Sequence, residues 1–352
     1  MTMLALFAVA SLAGPLVSQD DVAQYLRQTL KQKQVQGLAY AVMRRGRVER
    51  MAALGLANVE WRIAAGTDTV FEIGSITKQF TAALIMLLKV KGRLTLEDSV
   101  LKHLPEGPAH WKDVTIRHLL THTSGLKNLN SLPGFELTEK LDRKKFVERL
   151  SPPPLDFKPG EKYQYGNTNY ALLGFVAEAI EGKPYFDLLR ERIFEPLQMR
   201  NSQNRNPLAV IPRRADGYDV LDGKIVNRDY DLTDVFAAGA IASTIADMTR
   251  WEAELEAASR GAGKVLTKQI LDEMWSVNKL TSGDSTTYGL GFRIDTVKGR
   301  RVVGHGGSTS GFSSSIQRWP EHGLSVIVLT NCETVGVATE IARGIADLLL
   351  AK

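Results

Sequence analysis

The sequence predicts an α+β fold: a mainly antiparallel sheet flanked by helices, with an all-helical lobe set into the middle of the chain. Three observations carry this. An apolar hairpin pattern, "GLAYAVMRRGRVERMAALG", stands near the start. Strand patterns return only late, in "YGLGFRI", "RRVVGHGG", "GFSSSIQRWP" and "LSVIVLTN". What lies between is largely helical or loop-rich. The simplest packing joins the early hairpin to the late strands in one sheet and covers it with the terminal helices. It leaves a cleft against the helical lobe where a ligand can sit.

In chain order, "MTMLALFAVASLAGPLVSQDD" comes first. Its apolar stretch from Leu4 to Val17, followed by small residues and then acids, predicts a signal peptide over residues 1–18, although no Lys or Arg precedes the apolar part. The expected location is secreted or periplasmic. Residues 20–35 place Val22, Tyr25, Leu26 and Leu30 on one helical stripe. The hairpin follows, turning near Arg45-Gly46. "TVFEIGS" reads as a short strand, and "ITKQFTAALIMLLKVKG" as a helix with Phe80, Leu84, Leu87 and Leu88 facing a core, ended near Gly92. "TIRHLLTHTSGL" predicts a short helix closed by Gly125, and a turn at "PGEKYQYG" leads into a helix over 168–181. A last helix covers about 335–350. The expected division is an α/β lobe over about 19–85 and 206–352, and a helical lobe over about 86–205.

Of 352 residues, 44% are hydrophobic and 24% charged, values of an ordinary globular chain. The net charge of +5 is spread over short clusters such as Arg44, Arg45 and Arg47, with no interleaved aromatic stripe. That excludes a nucleic-acid footprint and leaves a solvated basic surface compatible with loose association with anionic cell-envelope polymers. The single cysteine, Cys332, allows no intramolecular disulfide and reads as a buried thiol.

Three short stretches carry chemistry. Ser75-Ile76-Thr77-Lys78 puts a hydroxyl and an amine one helical turn apart at the start of a helix. A serine hydroxyl needs a base within reach, and a helix N-terminus offers N–H groups to an oxyanion. The spacing alone is weak, because Ser-x-x-Lys also occurs at Ser99, Ser124 and Ser276, and Ser75 read alone is a helix cap. Only Lys78 begins a strongly apolar helix, whose burial would lower the amine's pKa from its reference of about 10.4. Tyr165-Gly166-Asn167 sits on a turn before a helix. There Tyr165 can share the proton with Lys78, and Asn167 can donate to a substrate carbonyl. In "VVGHGGSTSGF", His305 ends an apolar strand, and Gly306 and Gly307 allow a substrate to lie along the backbone. The Ser308 N–H can complete an oxyanion hole with that of Ser75.

In order and approximate separation, Ser75-x-x-Lys78, Tyr165-x-Asn167 and His305-x-Gly307 resemble the three motifs of the serine β-lactamase and penicillin-binding-protein superfamily. "FEIGSITKQFTA", "LLTHTSGL", "PGEKYQYGNTNYALLG" and "GHGGSTSGF" resemble its class C-like group of esterases and D,D-peptidases, from about residue 22 to the C-terminus. The resemblance implies an acyl-enzyme on Ser75, proton transfer by Lys78 and Tyr165, substrate orientation by Asn167, and a wall formed by His305 and Gly307. It implies small ester, amide or lactam substrates and no cofactor. Two departures stand out. Gly166 occupies a place where many relatives carry serine. His305 replaces a lysine that recognises a substrate carboxylate, and a histidine of reference pKa about 6.5 is mostly neutral at pH 7. This favours carboxylic esters or small amides over D-Ala-D-Ala peptides and β-lactams. A non-catalytic penicillin-binding or sensor protein is the rival of another class. His118 and His122 lack a third metal ligand, so no metal site is expected. No Gly-x-Ser-x-Gly, phosphate loop or dinucleotide fingerprint occurs. The sequence sets no oligomeric state.

Overall fold

The computed structural model describes residues 19–132, 142–206, 208–228 and 235–351. The expected signal peptide, residues 1–18, lies outside them. Helix α1 (Gln19–Lys33) leads into the hairpin β1 (Gly37–Arg44) and β2 (Arg47–Asn58), then short β3 (Ile63–Ala64) and β4 (Val70–Glu72). A 3-10 turn, Gly74–Ile76, opens onto α2 (Thr77–Val90). The middle of the chain holds α3 (Ile116–Leu120), α4 (Arg143–Leu150), α5 (Asn167–Glu181) and α6 (Tyr185–Leu189). Next come β5 (Gln203–Asn204), the hairpin β6 (Tyr218–Leu221) and β7 (Lys224–Asn227), α7 (Phe236–Gly239) and β8 (Ile241–Thr244). The chain ends with α8 (Ile245–Ser259), α9 (Lys268–Met274), β9 (Arg293–Val297), β10 (Arg300–Thr309), β11 (Phe312–Trp319), β12 (Leu324–Thr330) and α10 (Val337–Leu350).

Seven strands form one antiparallel sheet in the order β3-β2-β1-β12-β11-β10-β9. Its centre joins the two ends of the chain, with Tyr40 of β1 opposite Val328 of β12. The β1–β2 turn is Arg45-Gly46, with φ of 49° and 77°, the primed geometry that follows strand twist. Side chains alternate between faces. Leu38, Tyr40 and Val42 pack with Val22 and Leu26 of α1 and Ile341 and Ile345 of α10. Ala39, Ala41 and Met43 turn the other way, into a core with Trp251 and Leu255 of α8. That second core runs on through Phe80 and Leu84 of α2, Leu173 of α5 and Leu188 of α6. The helices of the middle segment are therefore seated on the face of the sheet opposite the two terminal helices.

One expected strand begins late. In "YGLGFRI" only Arg293 onward is β9. Upstream, the Gly289 N–H donates to the Phe292 carbonyl, and Gly291 has φ of 78°, so the chain turns tightly there. A Cβ on Gly291 would lie 2.7 Å from the Lys78 carbonyl, so this turn rests directly on α2.

Candidate active site

Ser75 occupies the 3-10 turn ahead of α2 and caps nothing, since the residue at the cap position is Ile76, without a side-chain hydrogen bond. Gly74, with φ of 50°, makes this turn possible. Lys78 in the first turn of α2 is fully buried. Its Nζ lies 3.1 Å from Ser75 Oγ, 2.9 Å from Asn167 Oδ1 and 2.8 Å from the Ala238 carbonyl. Burial, reinforced by the charge of Arg293, drives the amine well below the ordinary lysine range. A neutral amine suits these neighbours. Two N–H bonds go to the acceptors Asn167 Oδ1 and Ala238 O, and the lone pair faces the serine hydroxyl, which then donates to it.

Tyr165 lies on the turn before α5, and Asn167 is the first residue of that helix, after Gly166. The Tyr165 phenol is hydrogen-bonded to Ser75, and burial raises its pKa above the ordinary range despite that bond. It is therefore a phenol at neutral pH, not a phenolate. Lys78 Nζ sits 4.8 Å from the centre of its ring. Gly166 has extended backbone, and a Cβ there would meet only ordinary contacts, the nearest 3.4 Å away, so this position does not require glycine.

The third stretch lies on β10, backbone to backbone with the serine turn. A Cβ on Gly74 would fall 2.7 Å from the Ser308 N, and one on Gly307 would collide with the Ile73 carbonyl. The space left by Gly307 is thus filled by the protein's own turn, and the residue before Ser75 lies directly against Ser308. A Cβ on Gly306 would point at Thr339 of α10, 3.2 Å away. His305 is buried, with both ring nitrogens engaged: Nδ1 lies 2.5 Å from the Gly306 carbonyl and Nε2 2.9 Å from the Tyr288 hydroxyl. A carbonyl only accepts, so Nδ1 carries the proton and Nε2 accepts from Tyr288. Burial, then the proximity of Lys78, push its pKa down to about 3, and the ring is neutral.

A cavity of about 830 Å³ opens over Ser75 and Tyr165, with Gly304, His305, Gly306, Gly307 and Ser308 along one wall, and runs on towards α10. All eight residues singled out from sequence meet at this place. Two participants were not visible there. The Ala238 carbonyl has no side-chain signature. Arg293, exposed on β9 opposite Gly304, lines the cavity and holds its guanidinium 5.6 Å from the centre of the Tyr165 ring. Its signal in sequence would have been a lone cation at the start of an edge strand next to the histidine-bearing strand. The two histidines weighed as metal ligands do other things: His118 closes a capping box with Thr115, and His122 accepts from the Gly166 N–H.

Several proteins resemble this chain. Penicillin-binding protein 4* of Bacillus subtilis (strain 168) is 29% identical over 300 residues, covering 80% of this chain and 65% of its own. Protein flp of Staphylococcus aureus (strain MW2) is 27% identical over 321 residues, covering 89% and 63%. The chain thus spans less than two thirds of the length of these curated relatives. Among solved structures, an octameric penicillin-binding protein homologue from Pyrococcus abyssi superposes with a TM-score of 0.79 at 27% identity, over 95% of this chain and 77% of that one. A D-stereospecific amidohydrolase from Streptomyces sp. gives 0.78 at 27% identity, over 95% and 99%. Residues 22–350 match the Beta-lactamase family, and with the antiparallel sheet and helical body described above, the chain belongs to that family of serine hydrolases and penicillin-binding-type proteins.

Proposed function

We propose that the protein is a serine acyl hydrolase that forms an acyl-enzyme on Ser75, acting on carboxylic esters or small amides. The observation that carries this is the buried Lys78 amine, within hydrogen-bond distance of Ser75 Oγ and held by two acceptors that leave its lone pair for the serine proton. Ser75 Oγ attacks the substrate carbonyl carbon as Lys78 takes the hydroxyl proton. The oxyanion is held by the Ser75 and Ser308 N–H groups. Tyr165, a phenol in contact with Ser75, gives its proton to the leaving group and is re-protonated from Lys78. A water then repeats the sequence in reverse and frees the acid. Asn167 keeps Lys78 in place through Oδ1.

Neutral His305 supports uncharged substrates at that wall. Arg293 favours a second reading, a substrate carrying a carboxylate, such as a D,D-peptide or a β-lactam. It lines the same cavity, and among the described residues no carboxylate pairs with it. The family's amidohydrolase and penicillin-binding members support amide chemistry.

One experiment addresses both readings. A serine-reactive phosphonate should add its mass to the Ser75 peptide, and Ser75→Ala should abolish both labelling and turnover while leaving the fold intact. An unlabelled wild-type protein would identify a binder instead. Parallel assays with a short aryl ester, a chromogenic cephalosporin and a D-Ala-D-Ala peptide then rank the classes. If a carboxylate is read by Arg293, Arg293→Gln lowers kcat/KM about ten- to a hundredfold more for the charged substrates than for the neutral ester, compared on the pH-independent plateau because Arg293 also helps to lower the Lys78 pKa.

A further inference from the structure

His122 is fully buried beneath the site and has no part in the proton transfers above. It sits at φ of 57° in the loop after α3. Its Nδ1 lies 3.3 Å from the Gly166 N and 3.3 Å from Asn169 Nδ2. The Gly166 N–H can only donate, so Nδ1 accepts, and the ring proton belongs on Nε2. The orientation of the Asn169 amide agrees, because its Oδ1 accepts from Ser124 Oγ at 2.6 Å, which leaves Nδ2 to face the imidazole. The same loop grips the same turn with its backbone: the His122 carbonyl accepts from the Gln164 N–H at 2.9 Å. Further along, Asn128 Oδ1 accepts from the Asn167 N–H at 3.2 Å.

The ring's faces and edges are also occupied. Tyr165 lies with its ring centre 4.4 Å away, Tyr288 at 4.8 Å, Tyr170 at 5.1 Å and Tyr163 at 6.2 Å. The charged and titratable groups facing it are therefore these four phenols, Lys78 from α2, His305 from β10 and Arg293 from β9. Among the described residues Nε2 has no hydrogen-bond partner inside this aromatic cage. A second proton would place an N–H at Nδ1 against two donors. Burial opposes it as well, and so does the proximity of the basic groups Lys78, His305 and Arg293, holding the imidazole well below its usual range.

We propose that His122 is a positioning residue, whose neutral imidazole fixes the Tyr165-Gly166-Asn167 turn from behind and so sets the phenol over Ser75 and the amide oxygen on Lys78. The proposal rests on the acyl-hydrolase reading for its kinetic consequence, although the clamp itself is independent of any substrate. Packing alone would ask only for bulk at this position. The clamp asks for an acceptor at one point of the side chain, and asparagine supplies it, since Oδ1 falls where Nδ1 stood and asparagine tolerates positive φ.

The test compares His122→Asn with His122→Leu by steady-state kinetics, alongside nitrogen NMR of 15N-histidine wild-type protein. His122→Leu is expected to lower kcat about a hundredfold with KM unchanged, whereas His122→Asn stays within about tenfold of wild type, because misplacing a reacting group by about 1 Å costs that much. The NMR should show an Nε2–H tautomer that does not titrate from pH 5 to 9, a span covering the ordinary histidine range of about 6.5. A folded leucine variant with wild-type kcat overturns the proposal. So does an asparagine variant that is folded but as impaired as leucine, or an imidazole that titrates or carries its proton on Nδ1. If the leucine variant does not accumulate in folded form, the asparagine variant and the NMR decide. A wild-type protein that fails to label at Ser75 sinks the acyl-hydrolase reading alone, and the tautomer still reports on the clamp.

Discussion

A lysine with no exposed surface, whose nearest partners are a serine, an amide and a carbonyl, has no carboxylate to hold its charge. Desolvation penalises the ammonium, so the native state binds fewer protons here than the unfolded chain. The sign follows. Between the lowered folded pKa and the unfolded value of about 10.4, stability contributed by this site increases as pH rises, and at lower pH the native state must bury a charge. Catalysis needs the free base, so kcat/KM should climb through the lowered lysine pKa and level off above it. A pH–rate profile checks this, and activity that begins only near pH 10 would reject Lys78 as the base. His305 should add no second limb between pH 5 and 8, since its pKa lies at about 3. Gly307 gives a second prediction at this scale. Its missing Cβ is space taken by the Ile73 carbonyl and Ser314 Oγ, so Gly307→Ala must push the serine turn away from β10. A shift of about 1 Å should cost kcat about a hundredfold. Phosphonate labelling rates measure it, and an unchanged rate would place the nucleophile turn elsewhere. Ser75, Lys78, Tyr165 and Asn167 were legible because each is a reactive side chain at a telling interval. The Ala238 carbonyl was not, because every residue has one. His122 was weighed only as a metal ligand beside His118 and set aside, while its actual partner is a donor, the backbone N–H of Gly166, 44 positions further along the chain.

Elements whose pattern is written in apolar residues were readable in advance. β1 and β12 alternate faces or run continuously apolar, and α10 carries a clean stripe of Val337, Ile341 and Ile345. The helix α8 went unread because its buried face is partly acidic. Glu252, Glu254 and Glu256 are all buried, each answered by something distant in sequence. Glu254 accepts from the backbone N–H groups of Lys264, Val265 and Leu266. Arg318 of β11 meets both others, with Nη1 2.8 Å from Glu256 Oε2, Nη2 2.9 Å from the Glu252 carbonyl, and an ion pair to the Glu252 carboxylate. Acids two residues apart point to opposite sides of a helix, so they break up its apolar pattern until the partners that bury them are known. Removing Arg318 leaves the fully buried Glu252 carboxylate without its ion-pair partner, while Glu256 keeps Arg260, so Arg318→Met should destabilise the fold by about 3–5 kcal/mol. Urea unfolding measures this. A loss within about 1 kcal/mol, the worth of an exposed pair, would show that water reaches this contact.

At the scale of the molecule, catalysis depends on two bodies of structure held in register. Ser75 and Lys78 come from the junction of sheet and helices, Tyr165 and Asn167 from the head of α5, and His305 and Ser308 from β10. They stay together because a single apolar cluster runs from Ala39 and Ile327 in the sheet through Phe80 in α2 to Leu173 and Leu188 in the middle helices. Chains longer than about 150 residues commonly fold and unfold domain by domain, yet here, among the described residues, the apolar cluster is continuous from sheet to helices. The helical segment shares its core with the rest of the molecule: α2 buries residues almost all round, and Phe80 packs both on Phe194 and on Trp251 of α8. We therefore expect one calorimetric transition, with van't Hoff and calorimetric enthalpies agreeing, and with loss of Ser75 labelling tracking loss of far-UV circular dichroism. Two resolved transitions, or labelling that disappears well before the sheet melts, would mean that the helical segment opens by itself and that the Tyr165 and Asn167 side of the site is held only loosely against Lys78.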